Sequence, residues 1–371
     1  MRKLRLDWGM SRAAAIDRPH GWGAALGLTA ACLFGLSAPF AKLLLSEIGP
    51  LTLASLLYLG AGLGLLIAAP WPLRRAAAVA GRAEAALRRS DLPLVAGTVL
   101  TGGIFGPLLL MVGLERVSAV SGSLLMNLEP PLTIFLAVVW FREHLGWRQA
   151  GATALILSGA ALVAARPGDL GAEWLGVAAI AGSSLSWAID TNLSQLLSAR
   201  DPVAVSRIKG LAGGTCMLAA ALFRGETPPS LRVAGAALFL GWVCYGMSAV
   251  LFVRSLRLLG AARVAAYFAT APFVGALAAV PVLGERLTRT DLGAMLIMAG
   301  GVAALMRESH DHAHAHEALE HDHAHLHDEH HRHEHPQGGG SSGPHAHPHR
   351  HVPLVHAHPH APDLHHRHGH D

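Results

Sequence analysis

Apolar stretches of membrane-spanning length recur along most of this chain, and no other feature narrows its fold as much. A helix needs about 20 mostly apolar residues to cross the hydrocarbon core. Ten candidate spans can be read at 22–45, 50–70, 92–114, 118–140, 148–165, 172–197, 203–223, 233–254, 262–283 and 290–306. The fifth and tenth are short, which leaves nine or eleven open. Backbone polar groups in lipid must be satisfied internally, so helices are expected rather than open strands. Runs such as GALAAVPVLG do not alternate as barrel strands do. The first apolar run, Trp22 to Leu45, exceeds the 7–15 residues of a signal-peptide core and reads as the first span.

Charge supports the same division. Only 15% of the residues are charged, against about 25% in soluble domains, and mean hydropathy is +0.39. The formal +4 combines +11 over residues 1–307 with −7 over 308–371, and 23 of the 25 histidines fall in the second part. A basic balance of this origin gives no reason to expect a nucleic-acid partner. Cys32, Cys216 and Cys244 lie far apart without CxxC spacing, so buried, inert thiols are expected rather than a disulfide or zinc framework.

Lys and Arg orient the spans. With the N-terminus inside, inner segments hold 18 of them and outer segments seven, so residues 1–21 and the tail are both expected in the cytoplasm. The inner stretch RRAAAVAGRAEAALRRSD has the spacing of a short interfacial helix. Lys42, Arg254 and Arg257 are expected to snorkel from span ends to the interface.

The body repeats itself. At an offset of 142, Pro130 falls on Pro272, Glu143 on Glu285, Leu145 on Leu287, Gly151 on Gly293 and Gly159 on Gly301. A weaker match at 153 sets Phe34 on Trp187 and Lys42 on Gln195. Two five-helix halves follow, 22–165 and 172–306. Because five is odd, the second half enters from the opposite side, an inverted repeat of the kind found in many secondary transporters. A duplication without a transport role is the alternative.

These motifs resemble the EamA-type drug/metabolite transporters. The resemblance rests on Leu128-Glu129-Pro130, then Glu143 and Leu145, then Gly151 and Gly159. It recurs in the second copy over 272–301 with Gly-Glu-Arg-Leu at 284–287, and in SSLSWAIDTNLSQLL. It covers nearly the whole body and implies ten helices, cytoplasmic termini, and export or uptake of small metabolites of no particular kind. The second copy has Ala271 where the first has Glu129, so a site built on that carboxylate is asymmetric.

Ionisable residues within spans are costly and point to function. Glu129 sits halfway along span four, beside Asn127 and before Pro130–Pro131, where proline frees a backbone carbonyl. It is a candidate for cation or proton binding; the alternative is that this Glu-Pro belongs to the fold. Asp190 and Asn192 follow Trp187 in span six, and Trp187 and Asp190 share a helical face that Gln195 does not. The alternative for Asp190 is interfacial water or a partner such as Arg207. Tyr245 and Tyr267 are candidates for a central cavity, against ordinary packing with satisfied hydroxyls. No P-loop, nucleophile elbow or HExxH occurs, so neither an ATP-driven pump nor an enzyme is expected, and no cofactor is required.

The tail, 308–371, spaces histidine at i, i+2 and i+4: His310, His312, His314 and His316; His321, His323, His325 and His327; His345, His347, His349 and His351. Pairs at i, i+2 share a face of an extended chain and pairs at i, i+4 share a face of a helix. Neutral imidazole suits Zn, Ni, Co or Cu. Its proline, glycine and low apolar content predict disorder without metal. A pH sensor and a repeat without a role are the alternatives.

The expectation from sequence is therefore an all-α integral membrane protein with a disordered His-rich tail. It is a secondary transporter, an exporter of small metabolites, working by alternating access. Its partners are a small-molecule substrate and the lipid bilayer, and it acts as a monomer or homodimer. The alternatives are a transporter of Ni, Co, Zn or a metal complex, and a membrane-anchored metal buffer or sensor. With 26 Arg against 3 Lys and abundant Ala and Gly, a bacterial inner membrane is expected.

Overall fold

A computed structural model describes residues 11–68, 87–141, 145–165, 170–197, 200–259 and 261–306 of the body. In the tail it describes 313–316, 320–325, 345–350 and 354–357. Among these residues the body is helical throughout. The long apolar stretches leave no other way to pair their backbone groups.

Helix α1 is Ser11–Leu44 and α2 is Pro50–Ala68. Helix α3 joins Leu92–Thr98, a π-helical stretch Val99–Phe105, and Gly106–Arg116. Helix α4 joins Ala119–Leu125, a 3-10 turn Met126–Leu128, and Glu129–Phe141. Helix α5 is Trp147–Ala164 and α6 is Leu170–Leu196. Helix α7 joins Pro202–Ile208, a π-helical Lys209–Gly213, and Gly214–Phe223. Helix α8 joins Leu231–Leu240, a π-helical Gly241–Met247, and Ser248–Leu259. Helix α9 has two pieces, Ala261–Phe268 and Ala271–Leu283, and α10 is Arg289–Met306. Six of the described helical segments are long and apolar enough to cross a membrane, making this a multi-pass membrane protein: Gly21–Leu44, Pro50–Ile67, Arg89–Arg116, Ala119–Trp140, Leu231–Leu256 and Arg289–Met306. Helix α1 starts about three turns before the apolar run, at Ser11, because Ala13–Ala15 extend a good helix former into the polar segment.

The packing has a pseudo-two-fold pattern. Helix α1 packs on α8, and their repeat mates α6 and α3 pack on each other. Helix α1 also packs on α9, as α6 does on α4; α2 with α7, α4 with α9 and α5 with α10 are pairs of mates in mutual contact. The π-helical stretches of α3 and α8, Val99–Phe105 and Gly241–Met247, are separated by 142 residues at both ends. One hydrogen bond repeats with its direction reversed. Ser183 Oγ on α6 donates to the Gly106 carbonyl on α3 at 2.7 Å, and at the equivalent place Ser248 Oγ on α8 donates to the Ala30 carbonyl on α1 at 2.9 Å.

Helix ends are tied across the chain. Between α9 and α10, Glu285 accepts hydrogen bonds from the amides of Ala119 (2.7 Å) and Val120 (2.9 Å) at the start of α4. Glu226, between α7 and α8, accepts from the amide (2.9 Å) and hydroxyl (2.6 Å) of Thr52 in the first turn of α2. These are orphan donors of helix N-termini, which a carboxylate suits. Lys42 does not snorkel. Its ammonium donates to the Leu114 and Val117 carbonyls, each at 2.6 Å, because the C-terminal end of α3 presents unsatisfied acceptors within its reach. On the other side of α3, Arg200 pairs with Asp91 at 2.8 Å.

Two further expectations change, and one falls outside the described residues. Only Cys244 is buried; Cys32 and Cys216 are exposed on the outside of the bundle, since apolar surface there faces lipid rather than a core. The interfacial stretch 69–86 and the loop 142–144 lie outside the described residues. The tail is not without order where it is described. Strand β1 (Ala313–His316) pairs antiparallel with β4 (Leu354–Ala357), and β2 (Glu320–His325) with β3 (His345–Arg350). Strict two-residue alternation suits extended chain. The register sets His314 opposite His356, His321 opposite His349, His323 opposite His347 and His325 opposite His345. His310, His312, His327 and His351 lie outside the described residues.

Candidate functional site

Two acids and a lysine meet where α3, α4, α6 and α7 converge. Asp190, in the last third of α6, is 8% exposed, and its Oδ2 lies 2.5 Å from the ammonium of Lys209, the residue that opens the π-helical stretch of α7. Its other oxygen, Oδ1, accepts no hydrogen bond among the described residues. Asp190 is able to sit there because Gly102 of α3 faces it: a Cβ at that position would collide with the carboxylate. One turn earlier on the same face of α6, the Trp187 indole lies against Gly106 in the same way. Helix α3 thus offers a smooth strip to both, in agreement with the shared face read from their spacing.

Glu129 opens the last segment of α4, where the 3-10 turn Met126–Leu128 breaks the helix before Pro130. Its Oε1 accepts a long hydrogen bond from the Thr191 hydroxyl, 3.3 Å, on the residue after Asp190. The carboxylate interacts electrostatically with both Asp190 and Lys209. Asn192 is a brace rather than a lining residue. Its amide donates to the Thr133 carbonyl of α4 (3.3 Å) and to the Ala188 carbonyl of its own helix (2.8 Å).

An aromatic group adjoins the acids. Phe34 of α1 meets Trp187 edge-on, with centroids 6.4 Å apart. It also packs on Tyr245 (5.6 Å) and Phe268 (5.2 Å), and Phe268 packs on Phe252 (5.0 Å). Tyr245 packs on Tyr58 of α2 (5.7 Å), whose hydroxyl donates to the Gly102 carbonyl at 2.7 Å. A continuous surface therefore runs from Asp190 through Gly102 and Tyr58 to the aromatic rings.

Of the residues singled out from sequence, the structure brings together Glu129, Asp190, Trp187 and Tyr245. Asn127 points elsewhere: it is buried against α10, with its amide 3.8 Å from the Met298 sulfur. Tyr267 packs beside Gly27 of α1. Arg207 is not the partner of Asp190; two residues further on, Lys209 faces α6 instead. Sequence reasoning counted Lys209 among the orienting charges of an inner loop and did not single out Tyr58. The signal was present, since Lys209 is one of three lysines in the chain and stands inside an apolar helix.

Comparison with known proteins agrees with this architecture. Residues 21–165 and again 174–307 match the EamA-like transporter family. An archaeal protein of Methanothermobacter thermautotrophicus named "Uncharacterized transporter" is 31% identical over 295 residues, 76% of this chain and 86% of its own length. The chain belongs to the EamA-like transporter family. As an EamA-like protein it is a membrane transporter rather than an enzyme. Over a shorter segment, 81 residues and 22% of the chain, it is 36% identical to 27% of a Streptantibioticus cattleyicolor protein named "Probable terminal-alkyne amino-acid exporter". A solved structure described only as "Crystal structure of protein" shares the fold, with a TM-score of 0.52 and 21% identity. It covers 76% of this chain and 95% of its own.

Proposed function

We propose that this EamA-like protein is a secondary transporter that exports a small organic metabolite by alternating access of two inverted five-helix halves, 22–165 and 172–306. The single observation that carries the reading is the acid and lysine group held between the two repeats: Asp190 and Lys209 on α6 and α7 of the second, Glu129 on α4 of the first. Ionisable residues are retained inside a membrane protein where they contact a substrate or coupling ion. A site between repeats is exposed to either side when the halves rock against each other. In this reading α1 to α10 are ten spans, with opposite entry for the two halves. The Lys and Arg bias favours cytoplasmic residues 1–21 and 308–371, and the richness in Arg, Ala and Gly favours a bacterial inner membrane, with the body acting as a monomer or homodimer.

Export of an amino-acid-like compound is favoured by the exporter that matches part of the chain. The alternative of a divalent ion as substrate draws on the tail, whose register sets histidines opposite one another. Among the described residues of the body no three His, Cys, Asp or Glu side chains come together to hold a metal ion, so an organic substrate fits the site better. The tail binds Zn, Ni, Co or Cu as a cytoplasmic appendage.

The test is flux in proteoliposomes. Amino acids, nucleosides and Ni, Co or Zn ions are screened with the full chain and with a chain truncated after Met306. Flux of an organic compound by both forms supports the reading. Metal flux that disappears with the tail would replace it with metal transport, and metal tolerance in cells without flux of any compound would leave only a buffer.

A further inference from the structure

Two carboxyl groups share the interior site with one ammonium, so with both ionised the group is one positive charge short of neutral. Asp190 and Glu129 are the acids and Lys209 the cation; Glu129 interacts with both of the others. In a low-dielectric interior an uncompensated carboxylate is expensive. The site also keeps an unused acceptor: Asp190 is buried, and its Oδ1 takes no hydrogen bond among the described residues.

The deficit is confined to one side of the pseudo-two-fold. At the offset of 153 the mate of Asp190 is Ser37, and the mate of Glu129 at 142 is Ala271. Pro50 and Pro202 open α2 and α7, and in that alignment the mate of Lys209 is Leu57. Where the side built from α4, α6 and α7 has charge, the side built from α1, α8 and α9 contributes Phe34, Tyr245, Phe268 and Phe252. Trp187, one turn from Asp190, touches Phe34 and joins the two sides. A ligand lying across this junction meets carboxylates at one end and ring faces at the other. Both attract an ammonium with an apolar body.

We infer that the site takes an organic ammonium, an amine with an aromatic or long apolar side chain, and that Lys209 is its tethered stand-in, occupying Asp190 until the ligand's own ammonium displaces it. The inference rests on the transporter reading for its biological meaning, but the binding it describes is independent of flux. Displacement neutralises the group. The incoming ammonium takes Asp190, and Lys209 turns to Glu129, leaving two carboxylates matched by two cations. The position of Lys209 gives the exchange a mechanical output. It begins the π-helical stretch of α7, where Gly210 lies against the backbone of Tyr58 and Gly62 on α2 and Gly213 against Gly103 on α3. Pulling on Lys209 therefore pulls on the contact between the helices that bear the aromatic and acidic sides.

The experiment measures binding of 2-phenylethylamine and of its uncharged analogue 2-phenylethanol to the purified full chain in detergent, by calorimetry at neutral pH. The wild type is expected to bind the amine and to reject the alcohol. Lys209→Met removes the competitor and is expected to bind the amine about tenfold more tightly, as any removal of a competing state does. Asp190→Asn is expected to lose it. Should Lys209→Met not fold, Lys209→Arg keeps the charge and pairs more firmly with the carboxylate. It is then expected to weaken amine binding several-fold. Equal binding of amine and alcohol, unchanged or weaker amine binding in Lys209→Met, or unchanged binding in Lys209→Arg would each overturn the inference. Tighter alcohol binding as pH falls would mean that a proton, not an ammonium, fills the deficit, and would also overturn it. Flux of amines and neutral compounds alike would defeat the inference while leaving the transporter reading in place. The expected binding pattern without flux of any compound would defeat that reading and leave the inference standing.

Discussion

Phe34 and Trp187, equivalent positions of the two halves, meet edge to face with ring centroids 6.4 Å apart and planes inclined at 64°. Residues 153 apart in the chain touch because the pseudo-two-fold passes between them. If the contact holds the halves together, it is cooperative. A double-mutant cycle on Phe34→Leu and Trp187→Leu, read by thermal unfolding in detergent, should give a coupling of about 0.5–1.5 kcal/mol. Strict additivity would mean that the two rings merely pass near each other.

Gly102 is expected to be indispensable to the acid site. Gly102→Ala places a methyl group against the Asp190 carboxylate and should reduce flux by at least about tenfold, the factor that 1.4 kcal/mol of misplacement produces. Gly151 of α5 has open space around its Cα, so Gly151→Ala should leave flux unchanged. Equal rates for both variants would show that the close approach of α3 to α6 does not matter to transport.

Glu285 caps α4 from the far half of the chain, with both carboxylate oxygens engaged. Glu285→Ala should cost about 1–2 kcal/mol, the usual price of a lost N-cap. Glu285→Gln, which keeps one acceptor, should recover part of this. Chemical or thermal unfolding of the detergent-solubilised protein measures both. An unchanged midpoint for the alanine variant would show that water replaces the carboxylate.

The histidines of the tail set the pH behaviour of metal binding. Only neutral imidazole is a ligand, and its ordinary pKa is near ~6.5. Affinity should be fully present above that value and lost as the pH falls through it, when protonation turns the ligands into repelling cations. Ni(II) titration of the full chain at about pH 7.5 and about pH 5.5, compared with the chain truncated after Met306, checks this. Equal binding at the two pH values, or in the truncated chain, would place the ligands elsewhere.

Helix positions were largely legible because lipid imposes both length and apolarity, and apart from the early start of α1 the described helices begin and end within a few residues of the apolar runs. The π-helical stretches were not legible, since hydropathy is blind to a one-residue change in hydrogen-bond register. The repeat at 142 was visible through Pro130, Glu143 and Gly159, and it is the same offset that relates the π-helical stretches of α3 and α8. Asp190 stood out as an acid in an apolar run. Lys209 did not, because it lies only eight residues after Asp201, near enough to a span end to be counted with Arg200 and Arg207. Only packing distinguishes a lysine that faces water from one that faces α6. For the same reason Asn127 and Tyr267 looked like site residues: polarity in a span says that a partner is needed, not which helix provides it.

The most direct test of the central claim is substrate flux through the body alone, with and without its buried acid. Proteoliposomes containing the chain truncated after Met306 should carry an organic metabolite, and Asp190→Asn in the same background should reduce the rate to that of empty vesicles. Flux undiminished in Asp190→Asn would contradict the account.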